Sequence, residues 1–381
     1  MHRHRSARTI ALRLAATALM LAPAMFAACS SDKRSESGTT PAASDASPTA
    51  ATAGDLPTAA AAPAGPTTFK VLAGKAEGAM DIEMFMPAAV HVREGDSIEW
   101  TAQGFEGHTI TFATDTQLQE VFKGYLQPDP EDPQQQIFSP LAAFPAGGNS
   151  VAGDNTYVNS GFIGVPTEAT YTLTFTKRGV YQYLCLVHPF TMRGTVSVDA
   201  PDARVDAPEA VAARGQAELA RYLGVERAAL DEATKAQRSF PAYEGRQLHK
   251  VTVGLTTDYG QVATFVAPKL DIKAGDTVIF ENDDRDFHNV VFKGNTELKS
   301  GVSIRPGPDG KGINYVMEKS SALAVDPGPE GFGPETFLSS GSMGITMPRL
   351  TWRLTFDRPG TYVYNCTIHI LAGMAGVITV R

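Results

Sequence analysis

From about Thr67 the chain breaks into short runs of alternating apolar and polar residues, separated by turn residues. Phe69-Lys70-Val71-Leu72, Val90-His91-Val92, Ser97-Ile98-Glu99-Trp100 and Thr109-Ile110-Thr111-Phe112 read as strands, as do Tyr171–Phe175, Tyr181–Cys185 and Gly194–Val198. Glu94-Gly95-Asp96 and Lys177-Arg178-Gly179 read as turns between them. Short strands at this spacing predict a β-sandwich. A different pattern occupies residues 208–238, which are rich in Ala, Glu, Arg, Gln and Leu and interrupted at Gly224. Leu219, Tyr222 and Leu223, then Ala228, Leu230 and Ala233, predict one or two amphipathic helices that pack one stripe on a domain.

The strand pattern occurs twice. Gly95-Asp96 recurs as Gly275-Asp276, Trp100 falls on Phe280 and His108 on His288, all 180 residues on. Ser160-Gly161 and Gly164 recur as Ser340-Gly341 and Gly344, while Tyr181, Tyr183 and Cys185 recur as Tyr362, Tyr364 and Cys366 at an offset of 181. One residue of drift across a whole domain means that the long Pro-, Gly- and Asn-rich insertions, 114–166 and 295–349, were duplicated too. Such insertions exceed ordinary loops; capping one end of the sandwich and forming a domain contact are both open roles.

The N-terminus has another texture. Arg3, Arg5, Arg8 and Arg13 precede an apolar run, Leu14 to Ala28, too short for a comfortable membrane span and of signal-peptide form. It ends in Phe26-Ala27-Ala28-Cys29, which resembles a bacterial lipoprotein cleavage box, although Phe26 departs from the usual leucine. Plain secretion with a cut at these alanines is the alternative. Residues 30–66 are Ala, Ser, Thr, Pro and Gly with scattered charge, the composition of a disordered tether. The expected organisation is a signal peptide (1–28), a tether (29–66), a first β domain (67–200), a helical connector (201–244) and a second β domain (245–381). The expected location is the periplasm or cell surface, with membrane attachment through lipidated Cys29.

Composition narrows the function classes. The 381 residues include 33 Lys and Arg against 41 Asp and Glu. Without residues 1–28 the balance becomes 29 against 41, net −12. No basic footprint for nucleic acid exists. Beyond Cys29 there are two cysteines, Cys185 and Cys366, and an isolated thiol in an exported protein asks for an explanation.

Cys185-Leu186-Val187-His188-Pro189-Phe190-Thr191-Met192 and Cys366-Thr367-Ile368-His369-Ile370-Leu371-Ala372-Gly373-Met374 supply one. Each carries a histidine three residues after the cysteine and a methionine shortly after, and each has a histidine far upstream, His108 or His288. A thiolate, two imidazoles and a weak axial thioether form the ligand set of a blue copper site. The candidate metal ligands are thus His108, Cys185, His188 and Met192, and His288, Cys366, His369 and Met374. Of the other histidines beyond the leader, His91 falls opposite Asp271 and His249 opposite Phe69 in the repeat, so both read as ordinary strand residues. Met80, Met84, Met86, Met317, Met343 and Met347 read as scattered packing rather than a thioether cluster.

These segments, with Gly179 to His188 matched by Gly360 to His369, resemble cupredoxins of the plastocyanin, amicyanin and azurin type over about 67–200 and 245–381. The resemblance implies an all-β chain of two tandem Greek-key β-sandwich cupredoxin domains joined by a short helical connector, with two type 1 coppers. It also implies single-electron carriage between redox partner proteins, with His188 and His369 near the surface as electron ports. Two departures point to inequivalent sites. Three residues separate His188 from Met192 but four separate His369 from Met374, and Thr109 stands where the second half has the family's usual Asn289. Copper oxidases and nitrite reductases need further histidines, one typically beside the cysteine. Here Leu184, Leu186, Asn365 and Thr367 flank the cysteines, so neither an enzyme nor a small organic substrate is expected. Envelope copper storage, buffering or sensing is the alternative.

Overall fold

Each half of the chain buries one face of its strands and wets the other. In Ser97–Gln103 every second residue is buried, and in Arg193–Asp199 the buried positions are Gly194, Val196 and Val198. The computed structural model describes residues 65–381 apart from 152, 154–155, 165–169, 283–284, 308–309, 320–322, 329–330 and 345–349. The leader, Cys29, the tether as far as residue 64, and Met347 lie outside the described residues.

In the first half, one sheet contains Thr170–Phe175, Ser97–Gln103, Thr68–Glu77 and Met80–Met86. The facing sheet contains Ala89–Arg93, Arg193–Asp199, Gly179–Leu184 and Thr111–Phe112. The second half repeats this with Thr351–Phe356, Asp276–Glu281, Gln247–Thr256 and Gly260–Val266 against Lys269–Ile272, Ala375–Val380, Gly360–Asn365 and Val291–Phe292. The two cores are built from repeat counterparts. Phe85, Trp100, Phe112, Phe175 and Tyr183 fill the first; Phe265, Phe280, Phe292, Phe356 and Tyr364 fill the second. Each such side chain removed from water contributes about 1.5–3 kcal/mol before entropy is counted. The expected all-β arrangement of two tandem sandwiches is the observed one.

The halves are not beads on a string. Met80–Met86 pairs antiparallel with Gly260–Val266, in the register Met80 to Val262, Asp81 to Gln261 and Ile82 to Gly260. Asp81 and Gln261 are the same position of the repeat, so the pairing is symmetric about a pseudo-twofold axis, as in an isologous interface. One sheet therefore runs from the first half into the second.

Two further elements hold this seam. The helix Pro208–Lys235 is one 28-residue element that passes through Gly224. It buries Val211, Gly215, Leu219, Tyr222, Leu223 and Glu226, one stripe at three- and four-residue steps in which Tyr222 and Leu223 stand side by side, against Thr68–Glu77, Met80–Met86 and Gly260–Val266. The expected stripe on a single domain is thus corrected: the helix spans the seam, and its last turns, with Ala228 exposed, leave the core. The insertions also meet. Gln136–Phe138 of the first pairs with Ile313–Met317 of the second, inside a four-stranded sheet completed by Leu126–Pro128 and Val302–Pro306. Arg305 donates to both carboxylate oxygens of Asp129, at 2.8 and 2.6 Å. Of the two roles left open by the sequence, the insertions form a contact between the halves.

Candidate metal centre

Cys185 ends up at the foot of Gly179–Leu184, and Cys366 at the foot of Gly360–Asn365. After each, the chain makes a tight turn and comes back: Cys185 N–H donates to the Met192 carbonyl and Cys366 N–H to the Met374 carbonyl, both at 3.0 Å. The second turn is a short 3-10 segment, Ile370–Ala372, closed by Gly373 at φ 72°. Met192 and Met374 are buried at these loop ends.

The upstream histidines arrive from the other side. His108 lies in the two-residue strand Gly107–His108, paired with Ile163–Gly164, and His288 makes the equivalent bridge to Met343. In the first half Cys185 Sγ lies 3.8 Å from His108 Nδ1 and 3.9 Å from His188 Nδ1. In the second, Cys366 Sγ lies 3.8 Å from His288 Nδ1 and 3.6 Å from His369 Nδ1, and the two Nδ1 atoms are 2.9 Å apart. In each half the donor atoms all lie within 4.8 Å of one another, and all three residues are buried. Burial alone would push both thiols up in pKa, but the neighbouring imidazoles outweigh it and hold Cys185 and Cys366 well below the usual thiol value. One soft thiolate and two imidazole nitrogens aimed at a common buried point suit copper.

Two glycines, which the sequence reading did not single out, make room for this arrangement. Gly74 and Gly254 sit at bulges in Thr68–Glu77 and Gln247–Thr256, at φ +82° and +80°. A Cβ there would stand 2.3 Å from His108 Nε2 and 2.2 Å from His288 Nε2. Only glycine tolerates both the backbone and the approach. Their separation of 180 residues, the offset of the repeat, was the available signal.

The loops behind the thiolates are tied differently. Thr109 Oγ1 accepts from Leu186 N–H at 2.8 Å, and Thr109 N–H donates to Cys185 Sγ at 3.4 Å. Asn289 makes a two-point tie, accepting from Thr367 N–H and donating to Thr367 Oγ1, each at 2.8 Å. The threonine thus replaces the asparagine's backbone bond but not its second one.

The expected surface position of His188 and His369 is corrected. They are only 8% and 4% exposed, because both rings face the seam between the halves. There they meet Glu106, two residues before His108 and missed in the sequence. His188 Nε2 is 3.0 Å from Glu106 Oε2, and His369 Nε2 is 2.7 Å from Glu106 Oε1. Gln261 Nε2 donates to the same Oε1 at 2.6 Å. Burial opposes the charge on Glu106, yet the two imidazole hydrogen bonds prevail and hold its pKa well below the usual carboxylate value. An ionised carboxylate only accepts, so each Nε2 carries a proton and donates it to Glu106, which leaves Nδ1, the atom beside the thiolate, as the one a metal would take. The surrounding acids respond the other way. Burial pushes Asp81 up to about 6; burial and Asp286 push Glu83 well up; burial and Glu106 raise Asp286.

The remaining candidates are not ligands of these centres. His91 is an exposed neighbour of Asp199, and His249 is buried against Asp276, with Nε2 3.3 Å from Oδ2.

The family model for copper binding proteins of the plastocyanin/azurin family matches residues 69–199 and, separately, 251–381. Plastocyanin from Vicia faba is 31% identical over 117 residues, 31% of this chain and 87% of that protein. Chloroplastic plastocyanin from Pisum sativum is 30% identical over 117 residues, again 31% of this chain but 51% of that protein. Among solved structures, a Cu(I) form of an amicyanin variant is 21% identical with a TM-score of 0.21, covering 35% of this chain and 82% of its own. A pseudoazurin from Sinorhizobium meliltoi is 20% identical with a TM-score of 0.19, covering 35% and 73%. With both family matches coinciding with the two Cys-His-His sets, this chain belongs to the plastocyanin/azurin family of copper-binding proteins and carries two type 1 copper sites.

Proposed function

We propose that this protein is an exported, membrane-tethered carrier of single electrons. The observation that carries the reading is the pair of buried Cys-His-His sets, each fixed between strand ends with a methionine at the end of the cysteine loop. His108, Cys185 and His188, with Met192 at the end of the same loop, would hold one copper. His288, Cys366, His369 and Met374 would hold the other. Bound there, copper supplies a one-electron couple whose two oxidation states suit the same soft donors. The protein's own part is to keep the donors rigid: the strand ends, Gly74 and Gly254, and the Thr109 and Asn289 ties leave little to rearrange. The burial of each set also excludes water and small substrates, which favours carriage over catalysis. Among the described residues the other potential ligand group, Glu83, Glu106 and His188, borrows a histidine from the first set and lacks a three-imidazole constellation.

The Arg-rich start, the short apolar run and Ala27-Ala28-Cys29 support export and lipidation at Cys29. The tether behind Cys29 would let the folded part range about 30–35 Å from a membrane. Among the described residues no helix is long and apolar enough to cross one. Redox proteins are the fitting partners.

Copper loading tests the reading. The expected result is two coppers per chain, intense visible thiolate-to-copper absorption and reversible one-electron cycling, with Cys185→Ala and Cys366→Ala each removing one copper and its band. A colourless protein that takes up only Cu(I) would instead identify a copper store.

A further inference from the structure

The loop histidine of a lone carrier domain is its natural outlet, yet here both are turned inwards onto one carboxylate. We infer that Glu106 is the link through which the two centres exchange electrons, so that the chain works as an internal relay rather than as two independent carriers. This rests on the carrier reading above.

The path is short and made of bonds. It runs from Nδ1 of His188 across its ring to Nε2–H, through a 3.0 Å hydrogen bond to Glu106 Oε2, across the carboxylate carbon to Oε1, and through a 2.7 Å hydrogen bond to His369 Nε2–H and its ring. No side chain other than Glu106 is needed between the rings. Charge-assisted hydrogen bonds of this kind are short and directional, and electronic coupling decays far less through bonds and hydrogen bonds than across open gaps.

The position of Glu106 follows from the symmetry of the seam. Its repeat counterpart is Asp286, one methylene shorter. A group bridging two rings across a pseudo-twofold axis is needed only once, and the longer side chain reaches both. Gln261, from the seam strand itself, holds the carboxylate in place. The continuous sheet, the helix Pro208–Lys235 and the paired insertions then fix the spacing that the bridge must span. In each transfer one electron leaves the reduced centre and enters the oxidised one. The first gains a unit of positive charge, the second loses one, and no atom or proton changes hands. A one-electron donor must serve one centre and a one-electron acceptor the other.

The test uses the full copper-loaded chain, wild type, Glu106→Gln and Glu106→Ala. A photochemical one-electron reductant is given in substoichiometric amount, and redistribution between the two visible bands is followed. Both potentials are measured for each variant, so that rates are compared at known driving force. The wild type is expected to show a concentration-independent phase, slowed tenfold or more in Glu106→Ala with both bands retained. In the diamagnetic Cu(I) form, two downfield imidazole Nε2–H proton resonances are expected in the wild type and neither in Glu106→Ala. Should Glu106→Ala fail to fold, Glu106→Gln, which keeps the shape but can accept from only one ring, is expected to lose one resonance and slow the same phase. An intramolecular phase that is unchanged in the variants, or absent from a wild type with both bands intact, overturns the relay alone. A wild type without the bands overturns the carrier reading and the relay with it.

Discussion

Asp96 and Asp276 show how one residue type can serve both halves with different partners. The Asp96 carboxylate accepts from the backbone N–H groups of Thr67 and Arg93 and from the Arg93 side chain. Asp276 accepts from Gln247 N–H at 2.7 Å and Lys273 N–H at 2.8 Å, with His249 in the place of the arginine. Burial would raise Asp276, but these donors win and its pKa is lowered. A carboxylate depressed in the folded state stabilises above its unfolded value near 4, and that stabilisation is lost as pH falls through the lower folded value. Asp276→Asn is therefore expected to cost about 2 kcal/mol at pH 7 and progressively less towards pH 3, measured by urea unfolding of the metal-free protein across that range. A penalty that did not shrink with acid would assign the effect to shape rather than charge. The Gly-Asp pair was legible in the sequence as a repeated turn. That its carboxylate clamps a distant strand was not, because the partners are mostly backbone N–H groups, which no side-chain pattern records. The same limit hid Gly74 and Gly254, whose role depends on a ring folded over them from another strand.

At the scale of elements, strands and helix were legible because burial follows their periods of two and 3.6. The two Cys-His-His sets could be read because a cysteine followed three residues on by a histidine, repeated with an upstream histidine at the repeat offset, is chemically conspicuous. The insertions were opaque, since their pairing is short and joins segments about 180 residues apart in the sequence. Asn314 explains much of it: its side chain accepts from Phe138 N–H at 3.2 Å and donates to the Phe138 carbonyl at 2.9 Å, bridging the two insertions. Asn314 is buried, as is Phe138, so truncation would strand a backbone donor and acceptor together. Asn314→Ala is expected to destabilise the protein by roughly 2–4 kcal/mol, read as a lower urea midpoint. If the insertions are mere caps on separate sandwiches, the midpoint will stay within about 0.5 kcal/mol of wild type, as for an ordinary surface change.

At the scale of the molecule, the repeat in the sequence implied two sites but not their meeting. The seam arises from Met80–Met86 and Gly260–Val266, whose pairing brings the same repeat position from each half face to face. Only then do His188 and His369 turn from surface to interior. Symmetry of fold does not make the two centres equal. The Cys185 sulfur accepts from Thr109 N–H, and its loop is tied by one threonine hydroxyl that also bonds Thr111 Oγ1 at 2.9 Å. The Cys366 loop is held by both ends of the Asn289 amide and carries one more residue between histidine and methionine. Hydrogen bonding around the thiolate and the placement of the axial ligand are the terms that tune such a centre. A redox titration of the fully loaded chain is expected to require two potentials. Assignment follows from Cys185→Ala and Cys366→Ala, each leaving a single couple, and Thr109→Asn is expected to move the first couple while leaving the second in place. One potential fitting both centres would mean that the thiolate environments are equivalent despite these contacts.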